Sequence, residues 1–330
     1  MATKQKTATQ APTTKAPSLP PRLISFENSH SWIKRCDDQG TSLLQAGYAF
    51  NPPRSVVESV PRNGNNVVVN VNGKTRLYGE YACCNLTGKT LDKGDKADSA
   101  RDSFTAMLKP SDSFRELIVV ASHWDRSKAK ELCRSLEGDY RAIVNGKEII
   151  TRVVKTIPIL EGEGTYHLLK GQLAQGDTLL YELGFGTTER RLIQEDGNVA
   201  GHDPDESLAI RRLIDTIAND PHIRSCLTQK QQQTSNIALL SNALKTGHLP
   251  RLKQPWEIVV RPYIEDWVQS LKDSLLDDPN TATAENWVLT GGGAAIAKPY
   301  LGDLCTIPED PQTASVRGGY SYGVQVIANA

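Results

Sequence analysis

At 330 residues the chain exceeds the usual size of one hydrophobic core, so two domains or one large one are expected. Lys plus Arg and Asp plus Glu each total 38, which leaves no long-range field to draw the whole molecule onto nucleic acid or anionic lipid. The six cysteines (Cys36, Cys83, Cys84, Cys133, Cys226 and Cys305) form no CxxC pair for zinc and no disulfide framework, and no apolar run reaches a membrane span, so a reducing cytoplasm is the expected setting.

Residues 1–21 are rich in Thr, Ala, Pro, Gln and Lys, with Lys4, Lys6 and Lys15 and no acid before Glu27. That composition reads as a disordered basic leader, either simply solvated or a tether to a neighbour. From Leu23 the pattern is α/β, strands alternating with helices across short turns. Val67–Val71 and Thr75–Tyr78 flank Asn72-Gly73, a hairpin signal, and a second hairpin turns at Asn145-Gly146 with a return strand through Ile149 to Ile157. Between them lie a buried strand, Leu117 to Ser122, and a helix over 126–136 ending at Gly138. A helix from about Tyr166 to Leu173 leads to Gln175-Gly176-Asp177, the expected boundary.

Beyond it a hairpin is predicted over Thr178 to Gln194, then helices. One opens at Asp203-Pro204-Asp205 and runs to Ala218, one follows Gln229 and Gln231 to Gln233 through Leu244, and one spans 254–276 with Trp256, Tyr263, Ile264 and Trp267 on a face read as core. Val288-Leu289-Thr290 is a short strand running into Gly291-Gly292-Gly293.

Two glycine segments carry the chemistry. In Leu180-Tyr181-Glu182-Leu183-Gly184-Phe185-Gly186-Thr187-Thr188-Glu189, a strand ends in an acid and a tight hairpin aims amides and hydroxyls at one oxyanion, with Glu182 placed to hold Mg2+ through water. In Trp287-Val288-Leu289-Thr290-Gly291-Gly292-Gly293-Ala294, glycines between a buried strand and a helix start let backbone approach a flat or charged ligand. Each taken singly also fits a plain turn. Their order suggests one nucleotide site closed from two sides.

The first segment resembles the second phosphate loop of the actin, heat-shock chaperone and sugar kinase superfamily, with Glu182 and Glu189 where Asp is usual. Leu289 to Ala294 is similar to its adenosine loop. Asp310-Pro311-Gln312-Thr313-Ala314-Ser315-Val316-Arg317-Gly318 resembles the closing motif of the ParM-like branch, and Glu161-Gly162-Glu163-Gly164-Thr165 resembles the stretch whose Glu positions the attacking water. Similar chains occur at plasmid partition loci and as chromosomal cytoskeletal relatives in filamentous cyanobacteria.

The resemblance implies an α/β, actin-like fold of two ribonuclease-H-like domains, 22–170 completed by 311–330, and 171–310, with ATP (or GTP) and Mg2+ between them. It implies that Asn28, Ser29, Gly184, Gly186, Thr187, Thr188, Gly291, Gly292 and Gly293 bind nucleotide and that Glu161 and Glu182 serve hydrolysis. A filament of identical subunits and a DNA-binding adaptor are the implied partners, with no direct sequence-specific contact to nucleic acid.

The first phosphate loop departs from this pattern. Ser25 and Phe26 stand where the metal-binding acid is expected and Glu27 replaces a glycine, so either Glu27 takes over the metal role from a shifted position or this half of the site is weakened. A weak ATPase is the expected activity. A structural filament protein with lost hydrolysis, and a metabolic kinase of the same superfamily, are the alternatives.

Four further segments do not compete with these motifs. Gly88-Lys89-Thr90 lacks the first glycine of a P-loop, Gly201-His202-Asp203 and Ser122-His123-Trp124-Asp125 read as surface turns, and Cys83-Cys84 reads as a buried strand pair.

Overall fold

The computed structural model describes residues 19–29, 31–62, 64–86, 96–227 and 233–330. The leader up to residue 18, His30, Gly88-Lys89-Thr90, Gln229, Gln231 and Gln232 lie outside the described residues.

Among the described residues the strands are β1 (Arg22–Asn28), β2 (Trp32–Asp37), β3 (Gly40–Gln45), β4 (Tyr48–Phe50), β5 (Asn66–Val71), β6 (Lys74–Gly79), β7 (Glu116–His123), β8 (Gly138–Val144), β9 (Lys147–Leu160), β10 (Thr178–Leu183), β11 (Thr188–Ile193), β12 (Val199–Asp205) and β13 (Asn286–Thr290). The helices are α1 (Arg54–Ser59), α2 (Glu80–Asn85), α3 (Lys96–Ala106), α4 (Arg126–Leu136), α5 (Glu163–Leu169), α6 (Ile210–Ala218), α7 (Pro221–Cys226), α8 (Gln233–Thr246), α9 (Trp256–Asp277), α10 (Gly292–Leu301) and α11 (Ala314–Ala328).

They build a nine-stranded sheet ordered β3-β2-β1-β7-β9-β8-β5-β6-β4 and a four-stranded sheet ordered β12-β11-β10-β13. In the first, β1, β7 and β9 run parallel, while β2 and β3 fold back antiparallel. Both Asn-Gly hairpins form as read, with φ of 51° and 78° at Asn72 and Gly73 and 49° and 81° at Asn145 and Gly146. These are the left-handed conformations that two-residue hairpins require.

Alternation along β1 decides what each face does. Ile24 and Phe26 enter the core with Phe104 and Leu132 from α3 and α4, and Phe26 meets the Phe104 ring edge-on at 5.2 Å. Leu23 packs on the other face, with Val120, Ile159 and the α11 tyrosines. The second sheet buries Leu179, Tyr181, Leu183 and Leu289 against the helices 210–301, and Leu180 and Val288 against Tyr166 and Leu169 of α5.

The chain passes between the sheets through α5 and returns through α11, which packs on α5, β1, β2 and β7. The two helices cross at backbone contact. A Cβ on Gly318 would lie 1.6 Å from the Gly164 carbonyl oxygen, and one on Gly164 would lie 2.0 Å from that of Ser315. The glycines of the two sequence motifs are thus the two sides of one helix crossing.

Several sequence expectations are corrected. Asp203-Pro204-Asp205 opens no helix: it ends β12, paired with Arg190, Glu189 and Thr188, and the helix starts at Ile210. Pro204 is tolerated because β12 is an edge strand and needs no further ladder bond. Cys83 and Cys84 belong to α2 rather than a strand. His123 ends β7 and His202 sits within β12, so neither lies in a surface turn. The helix expected from Tyr166 starts three residues earlier, at Glu163, because Gly162 (φ 80°) turns the chain directly out of the Leu160 strand end.

Candidate functional site

β10 and β13 run parallel with Glu182 opposite Thr290, so the two glycine segments emerge side by side from the C-terminal ends of the two strands. Gly184 to Thr187 form a tight turn closed by the Gly184 amide donating to the Thr187 carbonyl at 3.0 Å, while the amides of Phe185 and Gly186 find no acceptor among the described residues. Gly291 has φ 85°, and a Cβ there would come 2.6 Å from the Leu183 carbonyl oxygen, so this position tolerates only glycine. Behind it α10 begins at Gly292, which borders the same space.

This space is a cleft of about 570 Å³ between the two sheets. One wall is charged. Glu27 from the end of β1, Glu161 after β9 and Glu182 at the end of β10 face Lys34 from β2 and Lys96 at the start of α3. Lys34 pairs with Glu27 at 2.5 Å and Lys96 pairs with Glu161.

One oxygen of Glu27 and one of Glu182 are buried with no hydrogen-bond partner among the described residues. Burial, with the Glu27 charge second, pushes the Glu182 carboxyl up to about 8. Burial opposes the Glu161 charge as well, but the Lys96 ammonium holds its carboxyl below the ordinary range. Glu182 thus shares a buried wall with Glu27, Glu161 and the Lys34 and Lys96 ammonium groups.

The opposite wall is apolar: Ile237, Leu244, Trp256, Ile264, Ile296 and Tyr300. Side-chain contacts among the described residues link the halves around the cleft. From the four-stranded sheet, Arg191 donates to the Glu161 carbonyl at 2.7 Å and the Trp124 carbonyl at 3.0 Å, while His202 stacks on Trp124 and pairs with Glu189. At the mouth, the Lys245 ammonium sits 4.9 Å from the centre of the Trp32 ring.

Of the residues singled out from sequence, Glu27, Ser29, Glu161, Glu182, Gly184, Gly186, Thr187, Gly291 and Gly292 line this one cleft. Asn28, Thr188 and Gly293 are not brought to it. Asn28 donates to the Lys96 carbonyl at 3.1 Å, tying the first loop to α3. Thr188 is fully buried in β11. Gly293 is a packing position, where a Cβ would press on Leu183 at 2.7 Å and Trp267 at 3.3 Å.

The sequence reading missed Lys34, Lys96, Arg191 and the apolar wall. Lys34 carried a signal, standing opposite the acid across a Ser-rich turn; Lys96 carried none. Trp256 and Ile264, read as core, are packed in the helical core and also border the cleft.

The unpartnered Glu27 and Glu182 oxygens offer carboxylate contacts of the kind Mg2+ takes while keeping most of its water. No group of three or more His, Cys, Asp or Glu able to hold a metal by itself occurs among the described residues. The residues therefore fit an ion held through water beside a phosphate. The unpaired turn amides and apolar wall fit a phosphate and a flat base at the two ends of one cavity.

No family model matches the sequence, and no curated protein matches it. Solved structures do. An archaeal actin homologue aligns with a TM-score of 0.72 at 15% identity over 92% of this chain and 99% of its own. A ParM from a 15-stranded Clostridium botulinum filament aligns at 0.70 and 12%, covering 93% and 100%. Bacillus thuringiensis ParM with ATP aligns at 0.66 and 14%, covering 94% and 100%. At these identities the likeness establishes architecture. The chain has the actin-like fold, in the form shared by ParM proteins and the archaeal actin homologue.

Proposed function

We propose that the chain binds a nucleoside triphosphate, ATP or GTP, with Mg2+ in this cleft, hydrolyses it slowly, and assembles with copies of itself into actin-like filaments. The carrying observation is the cleft itself, where two glycine loops from adjacent parallel strands open between a charged wall and an apolar one. The neighbours support the reading: the archaeal homologue is known in complex with ADP, the Bacillus thuringiensis ParM with ATP, and the Clostridium botulinum ParM as a filament.

In this mechanism the Phe185 and Gly186 amides and the α10 start hold phosphate and base, and Lys34 supplies positive charge beside the first loop. Glu27 and Glu182 would be the residues to hold a hydrated Mg2+, which would supply charge neutralisation for the phosphates. Glu161 orients the attacking water. Residues 22–170 with 311–330 and residues 171–310 act as two bodies whose angle follows the nucleotide. Plasmid or DNA segregation through a DNA-binding adaptor, or a cytoskeletal role, in the cytoplasm is the cellular setting that fits. No helix among the described residues is long and apolar enough to cross a membrane.

Sedimentation with and without nucleotide, with phosphate release measured in the same tubes, tests this. Sediment that requires a triphosphate and releases phosphate is expected. No sediment under any nucleotide overturns filament assembly. Sediment without nucleotide or phosphate release favours a purely structural filament, a reading to which the Lys96 grip on Glu161 gives weight.

A further inference from the structure

Lys96 occupies an unusual place in the cleft. It is the first residue of α3, its side chain is 12% exposed, and its ammonium ends on the Glu161 carboxylate. Its backbone carbonyl accepts from Asn28, the last residue of β1, so its position is fixed against the first loop. Ser99, one turn along α3, accepts from the same Asn28 amide group. Lys34 is already committed to Glu27, at the other side of the same wall. The wall thus holds two cations of different standing: one paired within the β1–β2 turn, the other paired with the carboxylate that stands ready for water.

We propose that Lys96 is the residue that distinguishes a triphosphate from a diphosphate. This rests on the nucleotide reading above. Without a third phosphate, Lys96 neutralises Glu161 and occupies its carboxylate. A terminal phosphate entering beside Glu161 brings oxygens of higher charge, draws the Lys96 ammonium to itself, and frees Glu161 to accept from a water. Recognition and activation are then one exchange of partners. The diphosphate leaves the Lys96–Glu161 pair closed.

The test is competition binding of a non-hydrolysable triphosphate analogue and of the diphosphate to the parent and to Lys96→Met, Lys96→Arg and the double variant Lys96→Met/Glu161→Gln, each with Mg2+. The parent is expected to prefer the triphosphate. A charge-assisted hydrogen bond accounts for a ten- to hundredfold change in that preference, about 1.4–2.8 kcal/mol. Lys96→Met and the double variant should lose it, and Lys96→Arg should keep most of it. The double variant leaves no unpaired buried charge, so it reports even where Lys96→Met folds poorly.

A parent that binds both nucleotides equally, or variants whose two affinities fall together with the ratio preserved, overturn the assignment and leave nucleotide binding standing. A parent that binds neither overturns both. In single turnover, Lys96→Met should lower the rate constant at saturating nucleotide rather than only raise the half-saturating concentration, a split that a merely structural role would not produce.

Discussion

Replacing Gly318 by Ala tests the crossing on which the two halves are joined. The added Cβ would sit 1.6 Å from the Gly164 carbonyl oxygen and 3.0 Å from the Leu168 amide nitrogen, both backbone atoms that no rotamer change can move. Ordinary contact begins at about 3.4 Å, so α5 and α11 must separate by roughly 1.8 Å. A gap of that size forfeits most of the packing along the seam, including the stack of His167 on Tyr322 at 4.4 Å.

Overpacking alone costs about 1–3 kcal/mol, and a displaced helix adds to it, so a loss of about 3 kcal/mol or more is expected. For a domain of this size that is roughly 6–12 °C in melting temperature. Gly171→Ala is the matched control. Nothing lies within 4 Å of its Cβ position and its backbone is not left-handed, so it should be neutral or gain up to about 1 kcal/mol. Thermal and urea unfolding followed by circular dichroism reads both. A Gly318→Ala protein that melts with the parent would refute the crossing.

Glu161→Gln keeps the side-chain shape and removes the carboxylate proposed to orient water; phosphate release should fall about a hundredfold or more in a coupled phosphate assay, and an unchanged rate would remove that role. Glu182 gives the nucleotide-free protein a pH signature. Its folded value, about 8, lies above the ordinary 4.5 of a carboxyl, so the folded state holds the extra proton and stability declines as pH rises between the two. Glu182→Gln should remove that decline, at most about 5 kcal/mol, in denaturant titrations at pH 5, 7 and 9; an unchanged pH profile would count against it. Arg191→Met breaks the bonds to the Glu161 and Trp124 carbonyls. The two halves should then part, with a larger radius of gyration in X-ray scattering and faster release of a fluorescent nucleotide; an unaltered radius would contradict the tie.

What the sequence made legible was whatever a local backbone rule controls. The Asn-Gly turns and the glycine at 291 are visible because left-handed backbone and close approach restrict the residue type. Gly164 and Gly318 were visible only as parts of motifs; that they touch is a tertiary fact. Lys96 could not be read, because only the folding of α3 against β1, 68 positions away from Lys96 at Asn28, brings its charge to Glu161. The Asp203-Pro204-Asp205 error has a definite cause. Acid-Pro-acid is a good helix start, and pairing with β11 overrode it. Trp256 and Ile264 were assigned to the core because a cleft wall at the edge of a helical core shows the same apolar spacing as its centre.

The doubtful first loop turns on the alternation of β1. The Ser25 hydroxyl lies under α11, where a Cβ on Gly319 would meet it at 2.5 Å, and Phe26 points into the opposite core. Neither reaches the cleft. Glu27 lies two residues beyond Ser25 on the same face of the strand, past the cover of the helix, and lines the cleft opposite Lys34. The cleft therefore contains an acid from β1, in the place that the sequence left open between a shifted role and a lost one.

That acid is a glutamate, as are Glu161 and Glu182, and three carboxylates on two-carbon arms crowd one buried wall. One of them keeps its proton near neutral pH. Arg191 on one side and Lys245 on Trp32 on the other link the parts of the chain that border this cleft. Under the proposed function a triphosphate adds its charge to that of Glu27 and Glu161, so its binding should weaken when divalent cation is chelated.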